Sequence, residues 1–250
     1  MIENMTGNMK LPRAMLIDMD DTILSAYGRP EIAWNTIAAE FAEELSPLPP
    51  QQVATAVLAF ARNFWANAEA AWRLKLGEAR RLTVKGGFAA LAAAGHRPLP
   101  DDLAARLADR FTTYREEEMF VFPGAHEAID RLKLLGVKLA LVTNGAADTQ
   151  RAKVERFELA HRFDHIQIEG EHGFGKPEER AYLHAMETLG VGASDTWMIG
   201  DNLEWEVVTP QRLGIYGIWM DVHGEGLPAG STIRPDRIIR SLTELLPRDR

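Results

Sequence analysis

The chain has 250 residues, no cysteine, 28 Lys plus Arg against 36 Asp plus Glu, and a formal net charge of −8. That length corresponds to one or two domains with a core large enough to stand without staples. The lack of cysteine excludes disulfides, thiolate metal sites, iron–sulfur clusters and cysteine nucleophiles. The acidic balance has none of the basic excess of a nucleic-acid binder, although a small anionic substrate is compatible with it wherever a local cation collects the charge. Residues 1–12 read as a frayed lead-in without the apolar core of a signal peptide, and no stretch reaches the roughly 18 apolar residues of a membrane span. A cytoplasmic protein without a membrane partner is the expectation.

Residues 13–24, RAMLIDMDDTIL, read as a short buried strand that ends abruptly in acid. From 25 to 118 the chain turns helical, with breaks expected at Pro47–Pro50, Gly86–Gly87 and Pro98–Pro100, hence four or five helices. After Pro123–Gly124 the rhythm alternates: helix 125–135, strand 137–143, helix 146–157, strand 165–169, helix 178–189, strand 196–200, helix 204–213 and strand 216–221. Strands alternating with helices of this length predict parallel βαβ units, and short all-apolar strands such as VKLALVT and TWMIG predict helices on both faces. The fold class is therefore α/β, a Rossmann-like doubly wound parallel sheet built from residues 1–24 and 119–250. Residues 25–118 form an inserted helical domain, expected to lie over one end of the sheet.

In open α/β sheets, ligands bind outside the carboxyl ends of the strands. Those ends carry Asp18-Met19-Asp20-Asp21-Thr22, then Thr143-Asn144-Gly145 before a helix, and Gly200-Asp201-Asn202; Gly175-Lys176-Pro177 opens a further helix. Asp18, Asp20 and Asp201 in one cleft would repel one another, and a hard divalent cation with oxygen ligands removes the problem. Lys176 and the amides of a helix N-terminus at Asn144 and Gly145 could hold an anion. A carboxylate in line with phosphorus can act as nucleophile, and a second can move the protons of the leaving group and of water.

These residues resemble those of a known family. MLIDMDDTIL is similar to the first motif of the haloacid dehalogenase (HAD) superfamily, LVTNG to its second, GFGKP to its third and GDNLEWE to its fourth, and the match covers residues 14–24 and 120–221. Four motifs in order at strand ends are far more specific than a lone DxDxT. The insert resembles the subclass I cap. The resemblance implies that Asp18 is the nucleophile and an Mg²⁺ ligand. Asp20 would be the general acid/base with its carbonyl on the metal. Thr143, the amide of Asn144 and Lys176 would hold the phosphoryl group, and Asp201 would complete the Mg²⁺ site. Glu206 stands where the fourth motif usually has an aspartate, and either reaches the metal through water or orients Lys176. An acid at Asp20 points to C–O–P chemistry, since the family's dehalogenases have no acid there. The expected function is an Mg²⁺-dependent phosphatase of a small phosphorylated metabolite. The alternatives are a phosphomutase, a dehalogenase or a non-catalytic phosphoryl-binding module.

Other candidates have plainer readings. Asp21 is expected to be a turn carboxylate and Thr22 a structural turn residue. Phe60, Phe64 and Trp65 share one helical face and are expected to pack in the core. His161 and His165 have i, i+4 spacing, but the helix ends between them and no third ligand is evident, so no zinc site is expected. Oligomeric state is not legible.

Overall fold

A computed structural model describes residues 10–26 and 29–247; most of the lead-in expected at residues 1–12 lies outside them. The chain divides into two compact units, residues 1–25 with 120–250, and residues 26–119. In chain order, the first unit opens with β1 (Ala14–Ile17) and β2 (Leu24–Ser25). The second unit holds α1 (Pro30–Glu40), α2 (Ala42–Leu45), α3 (Pro50–Asn67), α4 (Leu76–Ala93) and α5 (Asp101–Glu117). The chain returns through β3 (Phe120–Val121), α6 (Ala125–Leu134), β4 (Lys138–Thr143), α7 (Ala147–Arg156), β5 (His165–Ile168), α8 (Glu169–His172) and α9 (Glu179–Leu189). It ends with β6 (Thr196–Gly200), α10 (Thr209–Arg212), β7 (Tyr216–Met220) and β8 (Arg237–Ile239).

Six strands form one parallel sheet in the order β5-β4-β1-β6-β7-β8. This is the Rossmann-like α/β arrangement. All four residues of β1 are fully buried, as a central strand with covered faces requires. Leu16, Ala140, Val142 and Met198 pack with Tyr182, Ala185 and Leu189 of α9 on one of those faces. Strand order reverses beside β1, with β4 and β5 on one side and β6 to β8 on the other. The crevice at this switch point lies beyond the end of β1, where Asp18 follows Ile17.

The sequence pattern does not reveal β8, a three-residue edge strand with an exposed Ile238 and no apolar run to mark it. The helix expected at 204–213 is instead a π-helical turn at Leu203–Val208 followed by the short α10. Asn202 caps this turn, its side chain accepting from the amides of Glu204 and Trp205.

The helical unit has its own core of Trp34, Ile37, Val57, Phe88, Leu107 and their neighbours, with Trp34 stacked on Phe111 at 4.2 Å. Pro50 and Pro100 stand at helix starts as expected. Gly86–Gly87 does not break the chain, however; both lie inside α4. A Cβ on Gly87 would fall 2.8 Å from Val57 Cα, so the glycine permits α4 to approach the backbone of α3. The aromatic stripe also departs from expectation. Val53, Ala54, Val57 and Leu58 form the inward face of α3, leaving Phe60 37% and Trp65 41% exposed. Phe64 instead meets Trp65 and Trp72 edge-on. No helix among the described residues is long and apolar enough to cross a membrane.

Candidate active site

The first motif leaves β1 with the Asp18 amide still donating to Ile199 in β6, at 2.9 Å. A tight turn follows, in which Ile23 and Leu24 donate to the Met19 carbonyl and Asp21 adopts a left-handed φ of 54°. Asp18 is thereby held at the sheet while Asp20 projects from the turn. Thr22 is fully buried, and its hydroxyl approaches Asp18 Oδ2 at 3.4 Å. It is thus a neighbour of the candidate nucleophile as well as a turn residue.

Lys176 arrives from the loop before α9 and is only 1% exposed. Its Nζ lies 2.5 Å from Asp18 Oδ1 and 2.8 Å from Glu206 Oε1. Burial works against the ammonium, but the charges of Asp18 and Glu206 overcome it and raise the Lys176 pKa. Burial pushes the Glu206 carboxyl up to about 7, with Lys176 opposing and Asp18 adding to the shift. Burial likewise pushes Asp18 up, against the pull of Lys176. The second oxygen of Glu206 accepts from the Asn202 amide at 2.8 Å. Glu206 is therefore a fully buried brace between the fourth motif and Lys176. Gly200 allows this, because a Cβ there would strike Glu206 Cγ at 2.2 Å.

Asn144 has a role beyond its expected amide. Its Nδ2 donates to the Lys176 carbonyl at 2.6 Å, and its Oδ1 accepts from the Lys176 amide at 2.9 Å. The second motif thus clamps the backbone of the third. The next residue is tied down as well, with Gly145 N donating to the buried Glu169 at 3.0 Å.

Asp20 is held separately. Lys153 Nζ lies 2.8 Å from both of its oxygens, and Gln150 Nε2 donates to Asp20 Oδ2 at 3.1 Å and to Thr143 Oγ at 2.6 Å. Gln150 and Lys153 are absent from the sequence-based candidates. Their signal is visible in retrospect as an i, i+3 polar pair that α7 buries, since both residues are under 10% exposed. Asp201 is an exposed residue, yet the protein packed around its carboxyl and the charges of Asp18 and Glu206 raise its pKa well above the usual range.

The structure therefore brings Asp18, Asp20, Thr143, Asn144, Lys176 and Asp201 to one end of one sheet. As ionised groups, Asp18, Asp20, Asp201 and Glu206 face Lys153 and Lys176, an excess of two negative charges. The donors are oxygens without a histidine or thiol. Such a set fits a hard divalent cation of the Mg²⁺ kind.

The chain is 34% identical over 158 residues to phosphoserine phosphatase of Thermus thermophilus, covering 62% of this chain and 60% of that one. It is 34% identical over 110 residues to N-acylneuraminate-9-phosphatase of Rattus norvegicus, covering 44% of each. The matches thus span about half the length of these curated relatives. Among solved structures, the HAD hydrolase YfnB of Bacillus subtilis bound to magnesium superposes with a TM-score of 0.68 at 25% identity, over 94% of this chain and 97% of that one. The 2-haloacid dehalogenase of Pseudomonas syringae shares the fold, with a TM-score of 0.57 at 24% identity over 94% and 96%. Residues 12–214 match the family model of the haloacid dehalogenase-like hydrolases, and the chain belongs to that family.

Proposed function

We propose that the chain is an Mg²⁺-dependent phosphatase of a small phosphorylated metabolite, working through a phosphoryl-aspartate on Asp18. The observation that carries this reading is the separation of two carboxylates two residues apart: Asp18 paired to Lys176, and Asp20 paired to Lys153. A phosphate ester needs such a division, because nucleophile and proton carrier act on the same reaction from different positions. Curated relatives are phosphatases of phosphoserine and of a phosphorylated sugar acid, which supports the same substrate class.

In the first step an Asp18 oxygen attacks phosphorus, the ester P–O bond breaks, and the leaving alkoxide takes a proton from Asp20. In the second, Asp20 takes a proton from water as its oxygen bonds to phosphorus. The P–O bond to Asp18 then breaks, releasing phosphate and restoring the Asp18 carboxylate, with Asp20 again carrying the proton it gave up in the first step. Lys176 and Thr143 hold the phosphoryl oxygens together with the Asn144 amide. Gln150 links Thr143 to Asp20, so the phosphoryl-holding hydroxyl and the proton carrier keep a fixed relation. Asp18, Asp201 and the Asp20 carbonyl would hold Mg²⁺, which when bound neutralises charge on the phosphoryl oxygens.

The test is phosphate release from p-nitrophenyl phosphate and a panel of sugar, amino-acid and nucleoside phosphates, with Mg²⁺ or EDTA. Metal-dependent release that disappears in Asp18→Asn is expected. A folded protein that binds Mg²⁺ and releases phosphate from none of them would overturn the reading.

A further inference from the structure

A separate cluster of three histidines stands on elements that flank the Lys176 loop and includes none of the carboxylates described above. His165 lies on the edge strand β5, His172 closes α8, and His184 sits on α9. Their ring centroids are 5.1 to 6.0 Å apart, and one nitrogen from each lies within 4.8 Å of the other two. The sequence pattern pairs His161 with His165 and shows no third partner. The fold replaces His161 with two residues brought in from later elements.

The hydrogen bonds assign the free lone pairs. His172 Nδ1 lies 3.1 Å from the Ile168 carbonyl, which can only accept, so Nδ1 carries the proton and Nε2 the lone pair. His184 Nδ1 lies 2.8 Å from Gln167 Oε1. Gln167 Nε2 donates to the Ala181 carbonyl at 2.8 Å, which fixes the amide so that its oxygen faces His184. His184 therefore also presents Nε2. The Nε2 of His165 is buried and makes no hydrogen bond. Two imidazoles oriented through Nδ1 by a carbonyl oxygen, with Nε2 left open, reproduce the outer-sphere pattern around metal-bound histidines. Phe174 packs its edge or face against His172 and His184, with Arg180 over the ring at 4.5 Å. Burial lowers the His165 pKa, favouring the neutral form that ligation requires.

We propose that His165, His172 and His184 form a binding site for a zinc-type divalent cation, distinct from the oxygen-lined Mg²⁺ site. Three neutral imidazoles suit zinc, cobalt or copper and suit Mg²⁺ poorly, so donor type alone separates the two sites. Zinc–nitrogen bonds of about 2.0–2.1 Å place tetrahedral ligand atoms about 3.4 Å apart, which modest ring rotations reach from the observed spacing. All three residues are half-buried, which leaves room for water as a fourth ligand. The cation would fasten β5, α8 and α9 together. His172 and His184 bracket Lys176 in the chain, so the site would stiffen the segment that presents the lysine.

The test uses the full chain, stripped with chelator and held in a large excess of Mg²⁺. One Zn²⁺ or Co²⁺ per chain is expected to bind, with a raised Tm and, for Co²⁺, the intense visible bands of a four-coordinate ion. His172→Ala and His184→Ala should each weaken that binding by more than about 100-fold, beyond the usual cost of losing an outer-sphere partner. Both should keep the Mg²⁺-induced rise in Tm, which also reports that they fold. Loss of the zinc to excess Mg²⁺ in the wild type would place it among the carboxylates and overturn the proposal. Unchanged binding in both variants, or no binding, would overturn it equally.

Discussion

Glu206 Oε1 lies 2.8 Å from Lys176 Nζ, and neither side chain is more than 1% exposed. The family's fourth motif usually places an aspartate here, and the extra methylene of glutamate serves to reach the lysine. Lys176 is then held from two sides, by Asp18 and by Glu206, while Asn144 grips its backbone.

Shortening that brace tests it. Glu206→Asp cannot span the same distance from the same backbone position, so Lys176 loses one of its two partners. Turnover should fall about 100-fold, the usual effect of displacing a positioning contact by about 1 Å. A steady-state comparison with Glu206→Gln, which keeps the length and loses the charge, separates reach from electrostatics. Wild-type kcat in Glu206→Asp would refute the brace.

Asn144→Ala removes two hydrogen bonds to the Lys176 backbone and should cost about 1–3 kcal/mol of stability. Mg²⁺ affinity should persist, because Asn144 is outside the assigned ligand set. Chemical denaturation and calorimetric Mg²⁺ titration of the same variant check both parts.

The metal-free protein should lose stability as pH rises. Asp18, Asp201 and Glu206 all have raised pKa values in the folded chain, so the folded state holds protons that the unfolded chain has released. Their favourable contribution is full below the ordinary carboxylate values and is lost as pH climbs, for Glu206 between 4.5 and about 7. Mg²⁺ held among these groups would relieve the crowding that protons otherwise relieve. The Tm difference between Mg²⁺ and EDTA should therefore be larger at pH 8 than at pH 5, measured by scanning calorimetry. An equal difference at both would count against Mg²⁺ among these groups.

Lys153→Met removes the cation beside Asp20 and should reduce turnover about 10²-fold, the lower end of what a proton carrier contributes. The phosphate-release assay should show this drop with Mg²⁺ affinity retained.

Gly87→Ala sets a methyl group against the Val57 backbone and should destabilise the helical unit by about 1–3 kcal/mol. Denaturant unfolding reads that loss, while the proposed Mg²⁺ binding at the carboxylates should be unchanged.

The sequence by itself determined the α/β fold class, and it pointed to the helical insert and to six polar residues that the fold gathers at one end of the sheet. These features rest on local signals: short apolar runs separated by helical periods, and polar residues placed directly after them. Residues that meet only through long-range packing were decided by tertiary structure. Gln150 and Lys153 look like an ordinary helix surface until α7 turns them toward Asp20, 130 and 133 residues earlier in the chain. Gly86–Gly87 reads as a break because composition cannot show that a second helix presses against it. Phe60, Phe64 and Trp65 read as one apolar face of α3, but burial of α3 is set by which face α4 and α1 cover. The three histidines likewise come together only when β5, α8 and α9 pack, because spacing along one element cannot encode a partner supplied by another.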